Sequence, residues 1–401
     1  MFLHVLITPL SVSLVALAAL PWWVSPLLVS WRRKRTPSLD DVSDAPPAAA
    51  SAVRVSVILP ARNEGVHIAD CVRAVLATNW PNLELIVVDD HSEDDTARLA
   101  IDAADGDVRF TLVRPAALAD GWFGKQWACQ AGQEQATGAL LLFIDADTRH
   151  APDLVTRMVR MRESRRVELL SVAGKQLTGT IWERAVQPAV FAMILTRYGS
   201  AEAMEQATRA CDVIANGQCF LLSRAVYDAI GGHRAVRDFV AEDLMIAQTV
   251  WSHGHRVSLA LGVGQFRVRM YHGLAELVEG WGKNVYAGGR FAMRGGALGR
   301  VVYPLVLLTF PLILLMPLFT VLLAMPAAID GSPLARFAVG WAIAAGAGVF
   351  ATFAVANRSN RDSAWRALLA PLGAAILLWI CASAIGRGRR VRWKGRAYVA
   401  R

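Results

Sequence analysis

The sequence predicts an α/β protein, a doubly wound and mostly parallel sheet, with membrane-spanning helices before and after it. Three observations carry this. Short β-branched apolar runs stop abruptly at polar or acidic residues, segments of helical period separate those runs, and the two ends of the chain hold long apolar stretches. Runs of the first kind read as parallel strands buried on both faces. Uncharged stretches of about 20 residues or more are long enough to cross the hydrocarbon core of a bilayer.

Residues 2–30 contain no Asp, Glu, Lys or Arg and are read as a transmembrane helix (segment 1–30). The basic cluster Trp31-Arg32-Arg33-Lys34-Arg35 follows the span, whereas a secretory signal would begin with its basic residues. The positive-inside rule puts that cluster in the cytoplasm, together with the domain after it. Residues 36–51, with Pro37, Pro46, Pro47 and an alanine run, have no periodicity and read as a linker, so 31–52 form a basic anchor and linker.

The catalytic-sized domain is expected over residues 53–300. Val55-Ser56-Val57-Ile58-Leu59-Pro60 leads into Ala61-Arg62-Asn63-Glu64, and Leu83-Glu84-Leu85-Ile86-Val87-Val88 leads into Asp89-Asp90-His91-Ser92. Between them Ile68, Val72, Val75 and Leu76 share a helical face, giving a right-handed βαβ unit. The pattern repeats as helix 94–104, strand 108–113, helix 124–136 and strand 139–144, so acidic residues gather at the strand ends, where doubly wound sheets bind ligands.

The most informative of these ends is Leu141-Leu142-Phe143-Ile144-Asp145-Ala146-Asp147. Strand alternation would put both carboxylates on one side of the chain, where they can address a divalent cation and the diphosphate it neutralises. Two acids after a strand are also common in solvated turns and helix caps, so the surrounding motifs decide.

Those motifs are Pro60-Ala61-Arg62-Asn63-Glu64, Val88-Asp89-Asp90-His91-Ser92, Gly121-Trp122-Phe123-Gly124-Lys125, Asp145-Ala146-Asp147 and Ala241-Glu242-Asp243, in that order within residues 54–285. In them the chain resembles the membrane-anchored, inverting family 2 glycosyltransferases of GT-A fold. More narrowly it is similar to the branch holding ceramide glucosyltransferases and the hopanoid- and carotenoid-associated bacterial enzymes, which share Gly-Trp-x-Gly-Lys and C-terminal membrane helices. The resemblance implies a nucleotide-sugar donor, by preference a UDP-sugar, a Mn²⁺ or Mg²⁺ ion, and a lipid acceptor.

It also implies roles. Asp89 and Asp90 would hold base and ribose, with Pro60, Arg62 and Glu64 on the same wall. Asp145 would face the ribose or metal-bound water, and Asp147 the cation. Lys125, at a helix start, would add charge on the nucleotide side. The general base would be Asp243, which opens an amphipathic helix through Ile246, Val250 and Trp251; helix-start acids are also favoured by the dipole alone. Glu242 would orient the acceptor or partner a cation, and Asp212 is a second acidic candidate for base. The segment 212–224 reads as a strand entered through a small-residue turn, with Asn216, Gly217 and Gln218 as donor-sugar contacts or a merely structural turn.

Processive relatives carry Gln-x-x-Arg-Trp after the base, but here the aligned residues are Leu277-Val278-Glu279-Gly280-Trp281. Only Trp281 is kept, with Lys283 as a substitute cation on the acceptor and leaving-group side, so transfer of a single sugar is expected. His272 is a further candidate metal ligand, though a lone His is more often structural. Residues 274–286 and 181–191 read as interfacial helices near the acceptor entrance.

Net charge is +9, from 42 basic and 33 acidic residues, but much of the basic charge adjoins apolar spans. Attraction to anionic phospholipid accounts for it without nucleic acid. Mean hydropathy is +0.36. The five cysteines form no Cys-x-x-Cys, and Cys129, Cys211 and Cys219 read as buried small residues.

A C-terminal membrane region is expected over 301–386, with spans near 302–325, 337–356 and 368–385, then a basic tail over 387–401. Loop charges give a parity conflict. The loop 326–334 lacks basic residues, 357–366 holds Arg358, Arg361 and Arg366, and a third crossing would put the most basic stretch of the chain outside. One span is then re-entrant or interfacial, or the tail breaks the rule, and Pro304, Pro311 and Pro317 point to the first of the three as irregular. Two other functions stay open: glycosylation of polyprenyl phosphate, and a catalytically inert membrane scaffold.

Overall fold

A computed structural model describes residues 8–393 and 396–399, so residues 2–7 of the first expected span lie outside the described residues. The chain starts with α1 (Pro9–Ala19) and α2 (Pro21–Lys34), joined through a helical Leu20 and ending in the cluster Arg32 to Lys34. The sheet domain follows as β1 (Val55–Ala61), α3 (Ile68–Leu76), β2 (Leu83–Asp89), α4 (Thr96–Ala104), β3 (Phe110–Val113), α5 (Gly124–Gln135), β4 (Leu140–Ile144) and β5 (Thr148–His150). It continues through α6 (Leu154–Arg165), β6 (Leu169–Gln176), α7 (Ile181–Tyr198), α8 (Ala201–Glu205), β7 (Cys219–Ser223), α9 (Arg224–Ala229) and α10 (Gly232–Ala235). Then come α11 (Glu242–Ser252), β8 (Val257–Val268) and α12 (Leu274–Lys283). Three long helices, α13 (Gly296–Ile329), α14 (Pro333–Ser359) and α15 (Ala370–Arg387), precede a hairpin of β9 (Arg390–Trp393) and β10 (Arg396–Val399).

The eight-stranded sheet has the order β3-β2-β1-β4-β7-β6-β8-β5. Its first four strands are parallel, while β7 runs antiparallel to both β4 and β6. The strands expected from the apolar runs are therefore present, and the fold is GT-A. Alternation builds two cores. Val57, Leu59, Leu85, Val87, Leu140 and Leu142 face one helical layer, and Ile58, Ile86, Val88, Leu141 and Phe143 face the other. The carboxyl ends of β1, β2 and β4 open on one edge.

Among the described residues four helices are long and apolar enough to cross a membrane: Pro9–Lys34, Gly296–Ile329, Pro333–Ser359 and Ala364–Arg387. The expected irregularity in the first C-terminal span is not found, since α13 runs unbroken through Pro304, Pro311, Pro317 and Pro326. Tyr303, Leu307, Leu314 and Leu315 pack it against the other apolar helices, and prolines are tolerated in such helices because neighbours and local adjustments re-satisfy freed backbone groups.

The unusual helix is α15. At its start Arg366 donates to Thr178 Oγ1 and Gly373 lies against the Ala185 backbone; at its end Arg387 reaches Gly282. Along its length Ala374, Leu377 and Cys381 share a core with Val186 and Val190 of α7 and Trp281 of α12. Both ends of α15 thus meet elements of the sheet domain, and the hairpin beyond it returns to that domain.

The linker is also more ordered than its composition suggests. Leu261 N donates to Pro37 O at 2.8 Å, Ser38 bridges Leu261 in parallel, and Leu39 is fully buried. Arg157 binds the Leu39 and Val42 carbonyls at 3.0 and 2.6 Å. β5 covers only the far end of β8, so this piece of chain pairs with the exposed edge beside it. Among the cysteines, Cys129 and Cys219 are buried as expected, but Cys211 is only half-buried.

Candidate active site

Asp145 and Asp147 do not continue the strand. They occupy a turn between β4 and β5, closed by Thr148, whose N and Oγ1 both donate to Asp145 O, at 3.3 and 2.6 Å. The carboxylates are brought together by this turn instead of by strand alternation. Lys125, in the first turn of α5, joins Asp145 Oδ1 at 2.7 Å and Glu242 Oε1 at 2.8 Å. Burial alone would lower the lysine pKa, but Asp145 and Glu242 hold it well above the usual value. Lys125 holds Glu242 below the carboxylate range against the cost of burial. A single removal from such a row leaves an uncompensated charge, so these three residues act as a unit.

Asp243 is held differently. Its Oδ2 accepts from Gly217 N and its Oδ1 from Leu244 N, both at 2.7 Å. Burial, and then the charge of Glu242, raises its pKa to about 6. A Cβ on residue 217 would stand 2.8 Å from Asp243 Oδ2, so glycine is needed for the approach. Lys125 Nζ meets the carbonyl of the same Gly217 at 3.4 Å, and Asp145 N donates to Gln218 O at 3.1 Å. The turn 216–218 therefore ties the β4 end to the start of α11. The Asn216 amide is spent on Val172 O at 2.8 Å, so that side chain holds the turn.

Asp147 Oδ1 is sealed from solvent and has no hydrogen-bond partner. Burial, Asp145 and Glu64 raise the carboxyl pKa to about 8. An unpartnered oxygen beside two further carboxylates fits a hard divalent cation, with diphosphate oxygens and water completing its shell. Among the described residues no three His, Cys, Asp or Glu are grouped to hold a metal by themselves, so such an ion would depend on the donor. His272 is turned to other partners: its ring stacks on His67 at 5.3 Å and Nδ1 lies 3.5 Å from Glu276.

On the nucleotide wall, Pro60 pairs in register with Val88. Arg62 binds the Asp90 and His91 carbonyls at 2.6 and 2.9 Å and so braces the β2 loop. Asp89 also organises that loop, accepting from Ser92 N at 3.1 Å, with Arg114 Nε at 3.4 Å. Asp94 caps, as its position suggests, by accepting from Gly65 N and Thr96 N. The Asp90 carboxylate is buried and held by Arg396 of β10. No motif marks Arg396, or Tyr398, which stacks on Phe123; in the sequence the basic tail reads only as membrane charge.

On the acceptor side, Lys283 is close enough for Glu242, Asp145 and Asp243 to act on it, and burial lowers its pKa to about 8. Trp281 instead packs between Tyr271 and Phe191 in the apolar core, 5% exposed, which makes it a packing residue. Asp212 is neutralised by Arg197 and Arg294, each at 3.0 Å, which removes it as a base.

Residues 56–231 match the model of glycosyl transferase family 2. That stretch, which holds the β1 to β4 strand ends, is similar to family 2 glycosyltransferases. It is 25% identical over 239 residues to a 4,4'-diaponeurosporenoate glycosyltransferase of Staphylococcus haemolyticus, covering 58% of this chain and 61% of that one. It is 32% identical over 109 residues to an undecaprenyl-phosphate 4-deoxy-4-formamido-L-arabinose transferase of Klebsiella pneumoniae, covering 26% and 32%. The matched region thus spans less than two thirds of either relative. A mannosyltransferase of Pyrobaculum calidifontis, solved with GDP-Man and Mn²⁺, superposes with a TM-score of 0.56 at 21% identity, over 93% of this chain and 99% of that one. This likeness shows that the apolar helices and the sheet domain together follow a known GT-A arrangement.

Proposed function

We propose that this glycosyltransferase moves one sugar, with inversion, from a nucleoside diphosphate donor to a hydroxyl of a membrane lipid of the hopanoid, carotenoid, sterol, ceramide or glycerolipid kind. The observation that carries the proposal is Asp243, a carboxylate positioned by two backbone N–H groups, with its pKa raised towards neutrality, beside the charged row of Glu242, Lys125 and Asp145. A base of this kind suits an acceptor that must lose a proton. Polyprenyl phosphate is already ionised and needs none, which favours a hydroxyl although one relative is named for undecaprenyl phosphate.

In this reading the acceptor oxygen attacks the anomeric carbon while Asp243 takes its proton, and the bond from that carbon to the diphosphate breaks. Asp90 receives the nucleoside. Lys125, and Lys283 on the other side, lie where the departing diphosphate gains charge. A Mn²⁺ or Mg²⁺ ion, held through Asp147, would neutralise that diphosphate when bound. Gly217 and Gln218 keep the donor wall and the base in register. Inversion requires only one such base, and loss of the Gln-x-x-Arg-Trp element agrees with a single transfer.

The cluster Arg32 to Arg35 puts the sheet domain on the cytoplasmic face of the inner membrane. The packing of α15 along α7 supports an α15 that lies at the interface, with its basic tail on that face too. The domain limits 1–30, 31–52, 53–300, 301–386 and 387–401 follow this arrangement, with β9 and β10 as part of the catalytic unit. The test is lipid extraction from cells with and without the gene, followed by mass measurement. A species heavier than its precursor by one sugar is expected only with the gene, and an unchanged lipid profile counts against the proposal.

A further inference from the structure

The hairpin of β9 and β10 is the last described stretch of the chain, yet it sits on the nucleotide wall. Arg396 Nη1 lies 2.5 Å from Asp90 Oδ2, and Nη2 lies 3.4 Å from Oδ1, so one guanidinium occupies both carboxylate oxygens. The Asp90 side chain is left 4% exposed. Tyr398 stacks on Phe123 with ring centroids 4.3 Å apart, and Val391 packs with Phe123, Val240 and Ala287. A Cβ on Gly124 would stand 2.6 Å from the Arg396 guanidinium, which puts the hairpin on the turn that carries Lys125.

Two features make this seat reversible. Among the described residues the hairpin is a two-stranded ribbon with no further strand beside it, and such ribbons are marginal without packing. Among the described residues its hold on the domain includes one ion pair, one ring stack, a small apolar contact and a packing of β9 on α12, of which only the ion pair reaches Asp90. The guanidinium also offers planar N–H donors to a carboxylate, the same kind of bond that a nucleobase or ribose would make there.

We propose that the hairpin is an intramolecular competitor of the donor, with Arg396 occupying Asp90 until a nucleoside diphosphate displaces it. This rests on the nucleotide binding at Asp90. Donor affinity is then set by how often the hairpin is lifted: a hairpin lifted a tenth of the time weakens apparent binding about tenfold. The tail carries Arg387, Arg389, Arg390, Arg392, Lys394, Arg396 and Arg401 with no acid, so it is charged to leave an acidic wall only for another anion.

The experiment titrates full-length protein in detergent with UDP and, separately, GDP, each with MgCl₂, by calorimetry. Arg396→Gln should bind one of these nucleotides about tenfold more tightly than the parent. A Phe123→Cys, Tyr398→Cys protein should bind it weakly when oxidised and recover on adding dithiothreitol, which tests the hairpin without removing the arginine. Equal or weaker binding by Arg396→Gln overturns the competitor, as does an oxidised double variant that binds as well as the reduced one; nucleotide binding itself then leaves the donor assignment standing. Absence of binding to either nucleotide in every form overturns both.

Discussion

Asp90 and Asp243, the two acids proposed to receive the nucleoside and the acceptor proton, are held in opposite ways. Asp90 is gripped by a charged side chain that arrives from the far end of the chain, and Asp243 by two backbone N–H groups close to it in space. A guanidinium exchanges for another donor group, so the first arrangement suits a site that opens and closes. Backbone amides stay in place and carry no full charge, so the second leaves a carboxylate fixed in direction and still able to take a proton. Asp90 is therefore held by a side chain from a distant part of the chain, and Asp243 by the backbone around it.

Asp147→Ala, which removes the unpartnered oxygen at the centre of the site, should lower turnover by about three orders of magnitude, because a Lewis acid supplies several kcal/mol and each 1.36 kcal/mol is tenfold. Chelation of divalent ions should do the same to the parent. Full activity in chelator would contradict the cation.

Asp243→Asn keeps the shape and one acceptor oxygen, so calorimetric nucleotide binding should persist while lipid glycosylation falls about 10² to 10⁴-fold. A near-parental rate would make Asp243 a helix-start acid and return attention to Glu242. Because burial and Glu242 raise the pKa of Asp243 to about 6, the base is ionised above that pH and protonated below it. kcat/KM should therefore drop about tenfold per pH unit below 6, and the Asp243→Asn remnant should lose this acid limb. A parental profile flat down to pH 4.5 would exclude this assignment.

The smallest effect on chemistry belongs to a residue outside both walls. Leu39→Ala should cost about 2–5 kcal/mol of stability, read by thermal unfolding, with little change in kcat, since the side chain is fully buried against the sheet edge. A neutral outcome would return residues 36–51 to the status of a free linker.

The sequence by itself determined the sheet and the loops that carry the chemistry. Buried parallel strands such as Val55–Ala61 and Leu140–Ile144 need near-continuous apolar runs that end at polar residues, so Asp90, Asp145 and Asp147 stand out as strand-end acids, while Lys125 and Asp243, at helix starts, were singled out by the family resemblance. Tertiary structure decided which of those carboxylates is paired and with what. It spent Asn216 on a turn, buried Trp281 in packing, neutralised Asp212, and kept α13 helical through four prolines. It also laid α15 beside α7 and returned Arg396 to Asp90 across 306 residues. No local pattern records such a contact, because a surface arginine in a basic tail has the same composition and periodicity whether it meets phospholipid, water or a carboxylate.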